Sequence, residues 1–206
     1  MERLKVGVLI SGRGSNMQAL IRASRDPNFP AAIAVVISSN PKAPGLALAA
    51  EAGIPTVAID AKGLDRSDAE GQIQAALDKA GVELVCLAGF MRLLGAGFVG
   101  RWAGRMINIH PSLLPAFRGL DVHERVLESG ARFSGCSVHF VTLEVDDGPI
   151  IVQAVVPVQA DDTADSLAAR VLAAEHRIYP LALRWLAERR ARGDGRRVVV
   201  PGAGNG

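Results

Sequence analysis

Asn108 and His110 stand two residues apart at the end of a short apolar run, directly before Pro111. If the run is a β-strand, alternation places both polar side chains on one face, where the chain leaves the sheet. Pro111 and Pro115 exclude continuation as a central strand or a helix. An amide N–H and an imidazole at such a position can stabilise a developing negative charge. The alternative is a strand end with a capping Asn and a satisfied, half-buried His.

A second candidate site is the glycine-containing segment Gly12-Arg13-Gly14-Ser15-Asn16, which follows the apolar run Leu4 to Ser11. Strand, glycine loop and helix aim backbone N–H groups and a helix N-terminus at an anion. Met17 stands where a dinucleotide fingerprint has its third glycine, and no acidic residue follows the second strand. A single phosphate is therefore the favoured ligand, and a plain tight turn is the alternative. Ser15 with Gln18 predicts a capping box for the helix.

Strand-like and helix-like segments alternate along the first half of the chain. Predicted strands are Leu4 to Ser11, Ala32 to Ser39, Pro55 to Ile59 and Glu83 to Ala88. Predicted helices start after the glycine loop, at Pro44 and at a Ser67/Glu70 capping box. The alternation predicts an α/β fold with a doubly wound, mostly parallel, Rossmann-like sheet. We expect three strand ends to converge on one crevice: Gly12 to Asn16, Gly89 to Leu94 and Asn108 to His110.

The second half predicts a strand pair and a long helix that extend the sheet. The predicted strands are Arg132 to Val141 and Pro149 to Val158. The acidic loop between them, Thr142 to Gly148, has the composition of a solvated hairpin connection. A helix capped by Asp121 and Glu124 ends at Gly130. Thr163 caps a helix that we expect to be bent or broken at Pro180, with Glu175 and His176 on its solvent face.

Composition limits the function classes. The 206 residues predict one domain at residues 1–190, with halves of about 1–100 and 101–190, and a flexible tail at 191–206. A net charge of +2 gives no reason to expect a nucleic-acid-binding surface. The arginines from Arg184 to Arg197 favour a solvated tail over a phosphate-binding arm. Val198 to Val200 is a possible edge strand. Two cysteines in apolar surroundings and no apolar segment near 18 residues predict a cytoplasmic protein without a membrane span.

Six motifs resemble the folate-dependent formyltransferases, and within them the glycinamide ribonucleotide formyltransferases of purine synthesis. The motifs begin at Leu9, Leu87, Asn108, Ser137, Asp146 and Glu175, and they read LISGRGSN, LAGFMR, NIHPSLLP, SVHF, DDGP and EHRIYP. The resemblance runs from about residue 4 to residue 190. It implies transfer of the formyl group of 10-formyltetrahydrofolate to the primary amine of glycinamide ribonucleotide, without a metal.

The resemblance also implies roles for individual residues. Asn108, His110 and Asp146 are the implied catalytic residues, and Glu175 is the implied contact to the ribonucleotide. The implied phosphate-binding residues are Gly12, Arg13, Gly14, Ser15 and Asn16. The implied folate-binding residues are Met91, Arg92, Leu93, Leu94, Asn108, Leu143, Glu144, Val145 and Asp146, with Arg66, one residue out of register, for the folate glutamate tail.

Two other functions remain possible at this point. One is a formyltetrahydrofolate hydrolase, although those relatives carry an additional N-terminal regulatory domain that we do not expect in this chain. The other is a non-catalytic folate- or nucleotide-binding module of the same fold, since fold alone does not imply activity. A complete set of Asn108, His110 and Asp146 favours the enzyme. The expected partners are the two small-molecule substrates, with the chain a monomer or homodimer.

Overall fold

The structure, a computed structural model, describes residues 2–194 and 196–201. The chain forms two compact units that divide between Ile107 and Asn108. The strands and helices of the first unit are β1 (Leu4–Ile10), α1 (Ser15–Ser24), β2 (Ala31–Ser38), α2 (Pro44–Glu51), β3 (Thr56–Ala58), α3 (Arg66–Lys79), β4 (Leu84–Leu87) and α4 (Ala96–Arg101). Strand β5 (Met106–His110) crosses the division.

The second unit continues from the end of β5. Its elements are α5 (Val122–Glu128), β6 (Phe133–Phe140), β7 (Ile150–Pro157), α6 (Ala164–Ala187), β8 (Arg192–Asp194) and β9 (Arg197–Val199). The last two strands pair antiparallel as a small sheet of their own.

Seven strands form one sheet in the order β3-β2-β1-β4-β5-β6-β7. Strand β1 lies parallel to β2 and β4, and β2 lies parallel to β3, whereas β6 and β7 are antiparallel. The predicted α/β class, with its Rossmann-like, mostly parallel sheet, C-terminal strand pair and long helix, is confirmed.

Burial of the strands explains why their sequences read as they do. All four residues of β4 are buried, and β1 ends in five buried residues. Strands covered on both faces by helices need apolar side chains on both faces, so they read as continuous runs of Val, Ile and Leu. Strand β7 alternates instead, with exposed Gln153 and Val155 between less exposed neighbours. Such alternation is typical of an antiparallel strand with one solvated face.

Three of the predicted helix caps are wrong, although the helices themselves are present. Gly14 precedes α1 in the left-handed conformation, so Ser15 is already helical and cannot cap. Asp65, not Ser67, caps α3 and accepts the N–H of Asp68. Asp121 precedes α5 at a φ of 52° and makes no capping hydrogen bond. The cap at Thr163 is confirmed and forms a reciprocal pair with Ser166.

Two further expectations concern the C-terminal part of the chain. Helix α6 continues through Pro180, so it is not broken there, and the alternative of a bend stays a prediction. The missing N–H of a proline removes one hydrogen bond, and a helix with a buried apolar face retains enough packing to continue. In the segment predicted as a flexible tail, the structure has the β8–β9 hairpin, with β9 one residue before the predicted edge strand at Val198 to Val200. Helix α4, in a glycine-rich stretch, was not predicted.

Candidate active site

Strand β5 positions the first two predicted site residues. Asn108 is half-buried and His110 is 5% exposed, and both belong to the last three residues of the strand. Residues two apart on a strand share a face, so both side chains point to the same side of the sheet. The predicted placement at the strand end is confirmed.

Asp146 lies beside His110. Its Oδ2 atom is 3.2 Å from Nδ1 of His110, and it accepts the N–H of Gly119 across 3.0 Å. Both side chains of the pair are more than nine-tenths buried, at 7% and 9% exposure. The interpretation of this loop as a purely solvated connection is therefore wrong for Asp146, although Leu143, Glu144 and Val145 are exposed.

His139 joins Asn108 to Asp146. Its Nε2 atom lies 3.3 Å from Nδ2 of Asn108 and 3.6 Å from Oδ1 of Asp146. Its Nδ1 atom lies 2.9 Å from the carbonyl oxygen of Phe140, which can only accept, so Nδ1 carries the hydrogen. Nε2 is therefore the ring atom that contacts both the amide of Asn108 and the carboxylate of Asp146. Sequence reasoning gave His139 no role, and its only signal was the motif Ser137-Val-His-Phe.

Both ring nitrogens of His110 face acceptors. Nε2 lies 2.9 Å from the carbonyl oxygen of Phe117, and Nδ1 faces Asp146. Only an imidazolium satisfies both contacts with N–H groups. Burial nevertheless holds the pKa of His110 below its ordinary value, against the raising effects of the Phe117 carbonyl and of Asp146. Both contacts are those that the cationic ring makes. Burial lowers the pH above which the ring loses its proton.

Opposing effects set the pKa of the Asp146 carboxyl group. Burial, the largest single effect, raises its pKa. The contact with His139, the N–H of Gly119 and the nearby imidazoles lower it, and together they hold the pKa below its ordinary value. Asp146 is consequently a carboxylate at neutral pH. It also has a left-handed backbone, with a φ of 52°, which aspartate tolerates better than most residues.

The predicted phosphate loop lies in the first unit. Gly14 has a φ of 73°, a conformation in which most side chains are strained. Gly45, at the start of α2, donates its N–H to the carbonyl of Gly12 across 3.1 Å. Helix α1 starts directly after this turn, so its first N–H groups border the loop. Arg13 is exposed. Phosphate binding by this loop stays a prediction, and Gly45 supports the loop backbone in a way that the sequence did not indicate.

The predicted folate segment, Met91 to Leu94, lies next to that loop. Ser11 donates its N–H to Gly89 across 3.1 Å, and its Oγ accepts the N–H of Met91 across 2.9 Å. Met91 and Leu93 are 69% and 66% exposed, unusual for large apolar side chains. Two of the three predicted strand ends therefore come together in the first unit. That the end of β5 shares their crevice stays a prediction.

Two arginines of the predicted folate set lie in or beside this segment. Arg92 donates from Nη1 to the carbonyl of Ala61 across 3.2 Å. Arg66 is the first residue of α3 and is exposed. A methyl group on Gly95 would lie 3.4 Å from Cδ of Arg66, so this side chain passes close to the residue after Leu94. The structure thus places Arg66 beside the predicted folate segment.

Glu175 is buried, at 6% exposure, and not on the solvent face of α6 as its mid-helix position had suggested. Burial, and then the charge of Glu175, raise the pKa of the Cys136 thiol to about 12. Cys136 is therefore an inert thiol in the core.

The comparisons with known proteins identify the family. A family model described as "Formyl transferase" matches residues 4–183. The chain belongs to the formyl transferase family. Among its relatives, phosphoribosylglycinamide formyltransferase of Escherichia coli (strain K12) is 45% identical over 188 residues, which are 91% of this chain and 89% of that protein.

Two further formyl transferase relatives bear on length and fold. The trifunctional purine biosynthetic protein adenosine-3 of Homo sapiens is 49% identical over 187 residues, which are 90% of this chain but only 18% of that protein. The crystal structure of glycinamide ribonucleotide transformylase 1 from Symbiobacterium toebii has a TM-score of 0.93 and 46% identity, and the match covers 96% of this chain and 94% of that one. The identity is far above the level at which only a fold is shared.

The surroundings of Asp146 include the C-terminal hairpin of this formyl transferase. Asp147 accepts from Arg118 and, across 3.1 Å, from Arg196. A cavity of about 400 Å³ opens here, and its lining includes Asp146 and Val198.

Within residues 2–194 and 196–201, no group of three or more His, Cys, Asp or Glu side chains is placed to hold a metal ion. The helices of this described part include none long and apolar enough to cross a membrane.

Proposed function

We propose that this chain transfers the formyl group of 10-formyltetrahydrofolate to the primary amine of glycinamide ribonucleotide, a step of de novo purine biosynthesis. The observation that carries the proposal is the buried cluster in which His139 joins Asn108 to Asp146 and Asp146 contacts His110. Membership of the family and the names of the relatives support the same reaction.

Asn108 and His110 are the proposed oxyanion donors. Attack of an amine on a formyl carbon places negative charge on the formyl oxygen, and fixed N–H donors stabilise that charge. The amide of Asn108 has two N–H groups, of which one meets His139. The other is available to the oxygen. His110 donates from Nε2 once it exchanges the carbonyl of Phe117 for that oxygen. Each donor is worth roughly 3 kcal/mol of barrier.

Asp146 is the proposed centre of proton movement. The amine loses a proton as the new bond forms, and the folate nitrogen gains one as the old bond breaks. A buried carboxylate 3.2 Å from an imidazole can accept the first proton through water and return it through His110. No covalent nucleophile is needed.

The remaining predicted residues are proposed to bind the two substrates. Gly12, Arg13, Gly14, Ser15 and Asn16 would hold the ribonucleotide phosphate at the start of α1, and Glu175 would contact the ribonucleotide. Exposed apolar side chains in the proposed folate set suit contact with a flat ring. They are Met91, Leu93, Leu143 and Val145. Leu94, Glu144 and the backbone around Arg92 complete the proposed folate set, with Arg66 for the carboxylate tail.

The test is consumption of 10-formyltetrahydrofolate by the purified chain with and without glycinamide ribonucleotide. We expect consumption to depend on the ribonucleotide and to yield formylated product in equal amount. Equal consumption without the amine would support the formyltetrahydrofolate hydrolase instead. Binding of both ligands without turnover would support the non-catalytic module. A cytoplasmic location and a monomeric or homodimeric state remain predictions.

A further inference from the structure

The hydroxyl of Ser11 sits between the proposed phosphate loop and the proposed folate segment. Ser11 directly precedes Gly12, and its Oγ accepts the N–H of Met91 across 2.9 Å. The same Oγ lies 2.9 Å from Oγ of Ser39, at the end of β2. A serine hydroxyl has one hydrogen and two acceptor positions, so it can satisfy both neighbours together. One side chain at the end of β1 therefore contacts residues that follow β2 and β4.

The geometry does not suit a role in stability alone. The Ser11–Met91 hydrogen bond is exposed, so water can replace it at small cost if the hydroxyl is removed. The backbone N–H of Ser11 already ties this strand end to Gly89 across 3.1 Å. What the hydroxyl adds is a fixed direction for the peptide of Met91. That peptide opens the segment whose backbone would face the folate.

We propose that Ser11 is a positioning residue that couples the two substrate sites, so that a ligand at Gly12 to Asn16 orders the peptide at Met91 and the reverse. The inference rests on the proposed function for the identity of the ligands. Coupling of this kind is reciprocal: each ligand must strengthen binding of the other by the same factor. Since Ser11 precedes the loop by one residue, small shifts in the loop are passed directly to its side chain.

The experiment is calorimetric titration of glycinamide ribonucleotide into the protein, alone and saturated with tetrahydrofolate, which has no formyl group to transfer. In the wild type we expect tetrahydrofolate to tighten ribonucleotide binding about fivefold or more. The coupling ratio is the ribonucleotide Kd without tetrahydrofolate divided by the Kd with it. Ser11→Ala should bring that ratio close to one while each ligand alone binds within about threefold of wild type. Ser11→Thr, which keeps the hydroxyl, should restore the ratio.

Ser39→Ala is the matched control, because it removes the other partner of Ser11 and leaves the bond to Met91. Its ratio should stay near wild type. An unchanged ratio in Ser11→Ala, or a wild-type ratio of one, would overturn the coupling while leaving the proposed function intact. Failure of the wild type to bind either ligand would instead remove the proposed function, and the coupling with it.

Amide hydrogen exchange gives a second readout that needs no variant. Glycinamide ribonucleotide alone should slow exchange of the Met91 N–H in the wild type, because an ordered Ser11 hydroxyl protects it. Exchange at Met91 that is insensitive to the ribonucleotide would also overturn the inference, even if Ser11→Ala did not fold.

Discussion

Gly45 donates its backbone N–H to the carbonyl oxygen of Gly12 across 3.1 Å, and its Cα faces the same loop without a side chain between them. A Cβ at this position would lie 3.0 Å from that oxygen and 2.6 Å from Cδ1 of Ile10. Helix α2 thus supports the proposed phosphate loop through direct backbone contact. A side chain at Gly45 must displace the end of the Ile10 side chain and must also push the Gly12 carbonyl or the helix away slightly.

We predict that Gly45→Ala weakens binding of glycinamide ribonucleotide by roughly tenfold, about 1.4 kcal/mol, with little change in tetrahydrofolate affinity. The overpacked methyl group should also lower the free energy of unfolding by about 1–3 kcal/mol. Titration calorimetry and urea unfolding measure the two effects. Gly71→Ala in α3 is the control, since its Cβ would meet nothing within 4 Å. Unchanged ribonucleotide affinity would show that the loop shape does not set binding.

Asp146→Asn should separate charge from shape at the proposed catalytic centre. Asparagine tolerates the left-handed backbone and can still accept the N–H of Gly119. Because the carboxylate no longer raises it, the pKa of His110 should fall further below its ordinary value. We expect turnover to fall by about two orders of magnitude or more with ribonucleotide affinity almost unchanged. Proton NMR titration of His110 and steady-state kinetics measure these effects.

Asp147→Asn is the matched control for this change, because its carboxylate contacts Arg118 and Arg196 rather than an imidazole. It should retain turnover near that of the wild type. If Asp146→Asn also kept near wild-type turnover, its assigned role in proton movement would be incorrect.

Only part of the candidate site could be predicted from local sequence patterns. Asn108 and His110 were predictable because strand alternation and two prolines are local signals. Asp146 was not predictable from local pattern, because its contact with His110 joins residues far apart in the chain and depends on how the loop returns to the strand. It came from the resemblance alone. The role of Gly45 escaped prediction for the same reason, since only tertiary packing shows its approach to Gly12.

The helix caps show a different limit. The pairs at Ser15 and Ser67 fit the capping pattern, yet a left-handed Gly14 and a competing Asp65 set the actual helix starts. Ser or Thr followed three residues later by an acid or amide recurs often by chance. His139 illustrates a third limit. It lies in a buried, mostly apolar strand, where a histidine is ordinarily a satisfied core residue.

His139→Phe should test whether that residue holds the site together. Phenylalanine fills similar space but removes the contacts with Asn108 and Asp146. Because the His139 contact is the largest effect that lowers the pKa of Asp146, its removal should raise that pKa. The carboxylate form then disappears at a higher pH, so the acid limb of kcat/KM should move to higher pH and kcat should fall by roughly 10- to 100-fold.

His139→Gln is the companion variant, since its amide retains a donor and an acceptor. It should recover part of kcat and move the acid limb less. A His139→Phe protein that is folded and keeps the wild-type pH profile would reduce His139 to a packing residue.

Asp162 anchors the start of α6. Its carboxylate accepts from both terminal nitrogens of Arg170, at 2.7 and 2.8 Å, from the N–H of Gln159 and from the hydroxyl of Ser166. The side chain is only 2% exposed. The Arg170 hydrogen bonds, and then the Gln159 N–H, hold the pKa of Asp162 well below its ordinary value of 3.8.

This lowered pKa fixes the sign of a stability effect. The unfolded chain binds a proton at Asp162 near pH 3.8 and the folded protein only at lower pH, so the stabilisation is complete above that value and is lost as pH falls through the folded pKa. Asp162→Asn should therefore lower the urea midpoint at pH 7 and flatten the decline in stability below pH 4. Asp161→Asn, at the exposed neighbour, should change neither. Urea unfolding at a series of pH values measures both. An acid decline as steep in Asp162→Asn as in the wild type would assign that decline to other carboxylates.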